Sequence, residues 1–107
     1  MMLISDVQWR STPLSYFDIT LLPGCIGGDW CLLAQRIGLN PVDIDHIKKD
    51  NHTTGTQILN AFNKILSKFE AEDNPLTLED LRQHIKAVPN LTVDWQKLNG
   101  KFAKNGM

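Results

Sequence analysis

The residues best equipped for chemistry are two cysteines and two histidines in the order of a zinc finger: Cys25, Cys31, His46 and His52. Zinc needs its ligands at the corners of a tetrahedron, and the cysteines of a finger pair stand about two to four residues apart. Five residues separate Cys25 from Cys31, and five separate His46 from His52. The order matches and the spacing does not. Cys31 also follows Trp30 within an apolar run, where a small buried hydrophobe is expected. Nucleophilic catalysis has less support still. No glycine-rich elbow precedes a serine, and no cation stands close to Cys31 in sequence to lower its pKa. Gly24, Gly27 and Gly28 lack a preceding strand and a following GK[ST], so they read as a loop rather than a phosphate cradle. The expectation is no catalytic residue, no metal, no cofactor and no enzyme activity.

The totals narrow the classes further. A chain of 107 residues suits one domain with one core. Its 42% hydrophobic and 21% charged content are those of a folded protein, not a disordered one. A formal net charge of −1 makes nucleic acid an unexpected partner. No apolar run approaches the roughly 18 residues that span a bilayer, and Asp6 interrupts the start before a signal-peptide core could form. A cytoplasmic chain with no membrane partner is expected. Two cysteines do not make a secreted disulfide framework. The triplets Asn51-His52-Thr53 and Asn90-Leu91-Thr92 fit the glycosylation pattern but read as turn and cap chemistry.

The elements around these residues are helical. Asp29 stands as an N-cap, with Trp30, Leu33, Ala34 and Ile37 behind it at the spacing of one buried face. Gly38 stops that helix, Asn40 caps the next, and Pro41 opens it where a missing N–H costs nothing. Ile44 and Ile47 point inward from it. Thr54 and Gln57 read as a capping box before Ile58, Leu59, Phe62, Ile65, Leu66 and Phe69. Asn74-Pro75 ends that helix. Thr77 and Asp80 resemble another capping box, ahead of Leu78, Leu81, Ile85 and Val88. Thr92 is expected to cap a last helix carrying Trp95, Leu98 and Phe102. Leu14, Phe17, Leu21 and Leu22 predict a first helix over about 14–22. The sum is an all-α fold, a six-helix antiparallel bundle. Trp30, Leu33, Ile37, Ile44, Ile47, Phe62, Ile65, Leu81 and Ile85 are its candidate core. Trp30, Ile47, Phe62 and Leu81 are expected to meet in one cluster, with Phe69, Trp95 and Phe102 also inside. Trp9 falls outside any periodic pattern.

Several strings resemble the death-domain family. Gly28-Asp29-Trp30, then Leu33-Ala34 and Ile37-Gly38-Leu39, resembles that family's second-helix signature. Asp43-Ile44-Asp45-His46-Ile47 is similar to its third-helix motif. Thr54-Gly55 with Ile58-Leu59-Asn60-Ala61-Phe62 resembles the fourth helix of death domains in the Toll and interleukin-1 pathway. Phe62 stands where those relatives carry Trp, Thr53 where they carry Pro, and the fourth helix runs about a turn longer. The resemblance implies a death-domain fold over 14–104, with 1–13 an N-terminal extension and 105–107 a tail. It also implies a non-catalytic module that recruits or oligomerises with other death domains, of its own kind or another, through unlike surfaces.

Charge placement names candidate contact residues. Glu70, Glu72, Asp73, Glu79 and Asp80 make an acidic stretch without bases. Lys86, Lys97, Lys101 and Lys104 oppose Asp94 alone, and the last three are expected to share the i, i+4, i+7 face of the last helix. This reads either as a solvated helix face or as one pole of a two-poled surface suited to head-to-tail contact. A mixed-sign cluster, Asp43, Asp45, Lys48, Lys49 and Asp50, occupies the third helix, and Arg36 on the outer side of the second is expected to join it. A competing function is a small helix-turn-helix nucleic-acid binder built on the Gly38–Pro41 corner. Asp43 and Asp45 oppose it by repelling phosphates, and the basic last helix favours it. Domains flanking this one, such as a kinase or receptor region, would choose a pathway.

Overall fold

A computed structural model describes residues 3–104 as six α-helices preceded by one 3-10 turn, Ile4–Asp6. The helices are α1 Tyr16–Thr20, α2 Trp30–Ile37, α3 Pro41–Asp50, α4 Thr54–Ala71, α5 Leu78–Ala87 and α6 Trp95–Phe102. Among the described residues there is no strand, only four isolated bridges. The expected tail, 105–107, lies outside the described residues.

The α2–α3 corner forms as its residues dictate. Gly38 takes φ 126, which side chains rarely tolerate, and its N–H reaches back to the carbonyls of Ala34 and Gln35 at 3.1 Å each. Asn40 Oδ1 then accepts from the Asp43 amide at 2.9 Å, with Pro41 as the first helical residue. Lys68 of α4 closes the corner from outside by donating to the Gly38 carbonyl at 2.9 Å. The Thr77–Asp80 capping box is likewise present, its two bonds 3.0 and 3.2 Å long.

Three cap expectations are corrected. Thr53, not Thr54, caps α4, accepting from the Thr56 amide at 3.1 Å. Gln57 makes no capping box. It turns inward, accepts from the Trp30 indole N–H at 3.1 Å and donates to the Asn51 carbonyl at 3.0 Å. Asp94 caps α6 in place of Thr92, accepting from the Lys97 amide at 3.1 Å. Asp29 and Thr92 are each other's partners instead: Asp29 Oδ2 accepts from the Thr92 amide at 3.1 Å and from its hydroxyl at 3.2 Å. Gly27 permits that approach, because a Cβ there would meet the Thr92 Cβ at 2.8 Å.

The first helix is shorter than the apolar spacing predicts. A Ser15–Asp18 capping box starts it at Tyr16 and points Ile19 inward. Phe17, about 200° round the helix from Ile19, is left 71% exposed. Leu14 is buried ahead of the helix, its amide bonded to the Leu76 carbonyl at 2.7 Å.

One core runs through the bundle. Trp30, Leu33, Ile37, Ile44, Ile47, Phe62, Ile65, Leu81 and Ile85 are all buried in it, while Phe69 and Trp95 sit half-buried at its rim. Trp9 is buried as completely as Phe62. The segment 3–13 lies as a strap along α5 and α6. Trp9 packs against Phe102 and Trp95, ring centroids 5.2 and 6.0 Å away, and its indole N–H donates to Asn99 at 2.7 Å.

Candidate interaction surfaces

The charged groups divide into those the fold uses and those it leaves free. Glu79 and Arg82 belong to the first kind. Arg82 is buried, and its guanidinium donates to Glu79 from Nε at 2.9 and 3.1 Å and to the Ser5 carbonyl from Nη1 at 2.6 Å. Glu79 also accepts from the Trp9 amide at 2.8 Å. The Arg82 hydrogen bonds hold the Glu79 carboxyl well below the ordinary value of 4.5, at about 2, against the opposing effect of burial. The same pairing raises Arg82. Glu79 therefore serves the fold, and does not count with its exposed acidic neighbours. Lys86 is similarly engaged, paired with Asp6 of the strap. Asp80 has one carboxylate oxygen in its capping box.

Glu70, Glu72 and Asp73 are exposed around the end of α4, where Asp73 makes the turn at φ 53. Lys97 and Lys101 are exposed on α6. Lys104 does not continue their helix face. The helix ends at Phe102 because Ala103 takes an extended ψ of 140, and the Lys104 amide then donates to the Gln8 carbonyl at 2.9 Å. Arg10 was hidden from any reading of local pattern. Its Nη2 donates to the Lys101 carbonyl at 3.4 Å, although the two residues are 91 apart in sequence.

On α3, Lys49 pairs with Asp45 at 3.0 Å along one exposed face, and Asp43 pairs with Lys64 of α4 at 3.1 Å. Lys48 and Asp50 are exposed. Arg36 is exposed on α2, and its charge bears on His84 of α5. Burial, then Arg36, lowers the His84 pKa, while Asp80 opposes them. The Nδ1 of His84 is buried without a partner.

Cys25 is buried and Cys31 half-buried, whereas His46 and His52 are exposed. Among the described residues no group of three or more His, Cys, Asp or Glu could hold a metal ion. A cleft of about 580 Å³ between residues 24–27 and 92–96 contains Asp94, whose carboxylate already caps α6. No helix among the described residues is long and apolar enough to cross a membrane. What the surface offers is charged helix faces around one core, which suits binding to another protein.

Neither a curated protein nor a solved structure matches the chain. Residues 16–89 match the family model described as Death domain. With six helices around one core and that match over most of its length, the chain belongs to the Death domain family, whose fold is a protein–protein interaction module and not a catalytic one.

Proposed function

We propose that this domain recruits, or oligomerises with, other death domains in cytoplasmic signalling of the innate-immune or apoptotic type. Its fourth-helix string resembles those of death domains in adaptors and kinases of the Toll and interleukin-1 pathway. The reading is supported chiefly by one observation. Glu70, Glu72 and Asp73 around the end of α4, and Lys97 and Lys101 on α6, are exposed and make no ion pair among the described residues. Unlike surfaces of this sort join head to tail and build open assemblies. The α3 set, Asp43, Asp45, Lys48, Lys49 and Asp50, together with Arg36, is a second contact surface in this reading.

Single exposed ion pairs contribute only about 0–1 kcal/mol, so the effect lies in their repetition and in its loss with salt. Light scattering should show association that weakens as salt rises to several tenths molar. Reversing Glu72 and Asp73 to Lys should abolish it without changing helicity. Mixing that variant with one carrying Lys97→Glu and Lys101→Glu should restore dimers. If the reversed forms associate like wild type, the interface lies elsewhere, with α3 the next surface to reverse. The basic face of α6 also favours a nucleic-acid reading, and appreciable duplex binding at physiological salt would support that alternative instead.

A further inference from the structure

Two aliphatic side chains stand out from an ordered part of the strap. Leu3 is 65% exposed and Ile4 51%. Both are anchored through their backbones. The Leu3 carbonyl accepts from the Asp6 amide at 2.9 Å, and the Ile4 carbonyl accepts from Asn99 Nδ2 of α6 at 2.8 Å. Farther along, the strap brings Arg10 to the other end of α6, where its Nη2 donates to the Lys101 carbonyl. Lys97 and Lys101 lie one turn apart on that helix, and the Lys104 amide is bonded to Gln8 just beyond it. All four cations are exposed, and none makes an ion pair among the described residues. The acids closest in sequence are engaged: Asp6 pairs with Lys86, and Asp94 accepts from the Lys97 amide. Gly100 lies between the two groups. At about 100° per residue it falls on the exposed arc of α6 between Asn99, which holds Ile4, and Lys97. Its φ is not positive, and a Cβ there would meet nothing within 4 Å, so neither backbone conformation nor internal packing requires a glycine.

We infer that this face of α6 and the strap docks on the surface of an anionic lipid bilayer, without entering it as a span. Leu3 and Ile4 reach the boundary between headgroups and acyl chains, while Arg10, Lys97, Lys101 and Lys104 meet the anionic headgroups. Gly100, lacking a side chain, keeps the middle of the face low, so a flat surface touches both sides of it. The presence of both kinds of side chain commits the face to lipid. A nucleic acid would use the cations alone and leave the aliphatic pair in water. With a net charge of −1 the chain as a whole is not drawn to an anionic surface, so attraction belongs to this face and sets the orientation of docking. Ile4 and Arg10 meet α6 across 95 and 91 positions of sequence, which is why the expectation of no membrane partner does not extend to this face. The inference needs no self-association and stands apart from the two-pole reading.

Co-sedimentation of the whole chain with vesicles tests this, using about 30% phosphatidylserine in phosphatidylcholine against phosphatidylcholine alone. Wild type should bind the anionic vesicles and not the neutral ones. The Lys97→Glu, Lys101→Glu double variant should lose binding. Arg10→Gln should weaken it about fivefold, as removal of one charge near an anionic surface does. Leu3→Ser and Ile4→Ser should each weaken it about three- to fivefold, since only the exposed part of each side chain is left to bury. Gly100→Glu, which sets a carboxylate in the middle of the face, should weaken it at least as much as Arg10→Gln. None of these variants should melt below wild type. If Ile4→Ser does loosen the strap, Gly100→Glu still decides, because a side chain there would touch no other residue. A wild-type chain that ignores anionic vesicles overturns the inference. So does binding that both serine variants leave unaltered, which would make the cations a general polyanion patch, or a DNA duplex bound as tightly as the vesicles.

Discussion

The α2–α4 region and the strap with α5 and α6 share one core but are held in different ways. Around α2 and α3 most polar contacts are local: Gly38 bonds back four residues, and Asn40 caps three residues ahead. The strap depends on partners 70 to 95 positions away, through Trp9 to Glu79, Trp9 to Asn99, Arg82 to Ser5 and Asn99 to Ile4. Local bonds declare themselves in spacing. Distant ones form only after the chain has closed on itself.

The largest effects test whether the strap is as integral as the central core. Phe62→Ala should destabilise by about 3–5 kcal/mol, and Trp9→Ala by a similar amount, since both rings are fully buried. In urea each variant should unfold in a single transition at a lower midpoint. An unchanged midpoint for Trp9→Ala would show that the strap peels off alone and that the two regions are separate units.

A smaller effect should follow from the charge pair under the strap. Glu79→Gln keeps an acceptor for the Trp9 amide but leaves the buried Arg82 charge without its hydrogen-bonded carboxylate and with only the Asp6 charge nearby, at a cost of about 3 kcal/mol near neutral pH. The pH dependence follows from the depressed pKa. A carboxylate held at about 2, against an ordinary 4.5, contributes stability that is complete above about 4.5 and is lost as pH falls through about 2. Wild type should therefore lose stability steeply over that interval, and Glu79→Gln should lose less. Urea midpoints from pH 7 to 2 would check this, with parallel curves counting against the pair.

The smallest expected effect separates a cap from a tie. Asp94→Ala should cost about 1 kcal/mol and reduce helicity, as loss of an N-cap does. Thr92→Val should cost about as much by removing its hydroxyl bond to Asp29, yet leave helicity unchanged. Circular dichroism melts of the two variants distinguish them. Equal loss of helicity would return the capping role to Thr92.

Much of the bundle was legible because a helix face repeats locally. Apolar residues three and four apart identified α2 through α5 and every candidate core position, and Asn40-Pro41 and Thr77-Asp80 marked starts that are present. Where two cap candidates stood close together, spacing could not choose. Thr53 and Thr54, or Thr92 and Asp94, differ only in which side chain the neighbouring element leaves free. Asp29 showed the same limit from the other side, since its carboxylate is taken by Thr92, 63 residues away.

Charge was read with less success than hydrophobicity. An apolar side chain at a helical period has one destination, the core, whereas a charged one can serve the fold or the surface from the same position. Glu79 and Lys86 look like their free neighbours in sequence, and only Arg82 and the strap's Asp6 set them apart. The sequence by itself determined α2 through α5, their inward faces and the family resemblance, because each depends on residues within a turn or two of one another. Tertiary structure alone decided that Trp9 is core, that Glu79 belongs to the fold, and that Arg10 stands beside Lys101. Those facts depend on which distant groups meet when the two ends of the chain pair, and no local period encodes that meeting.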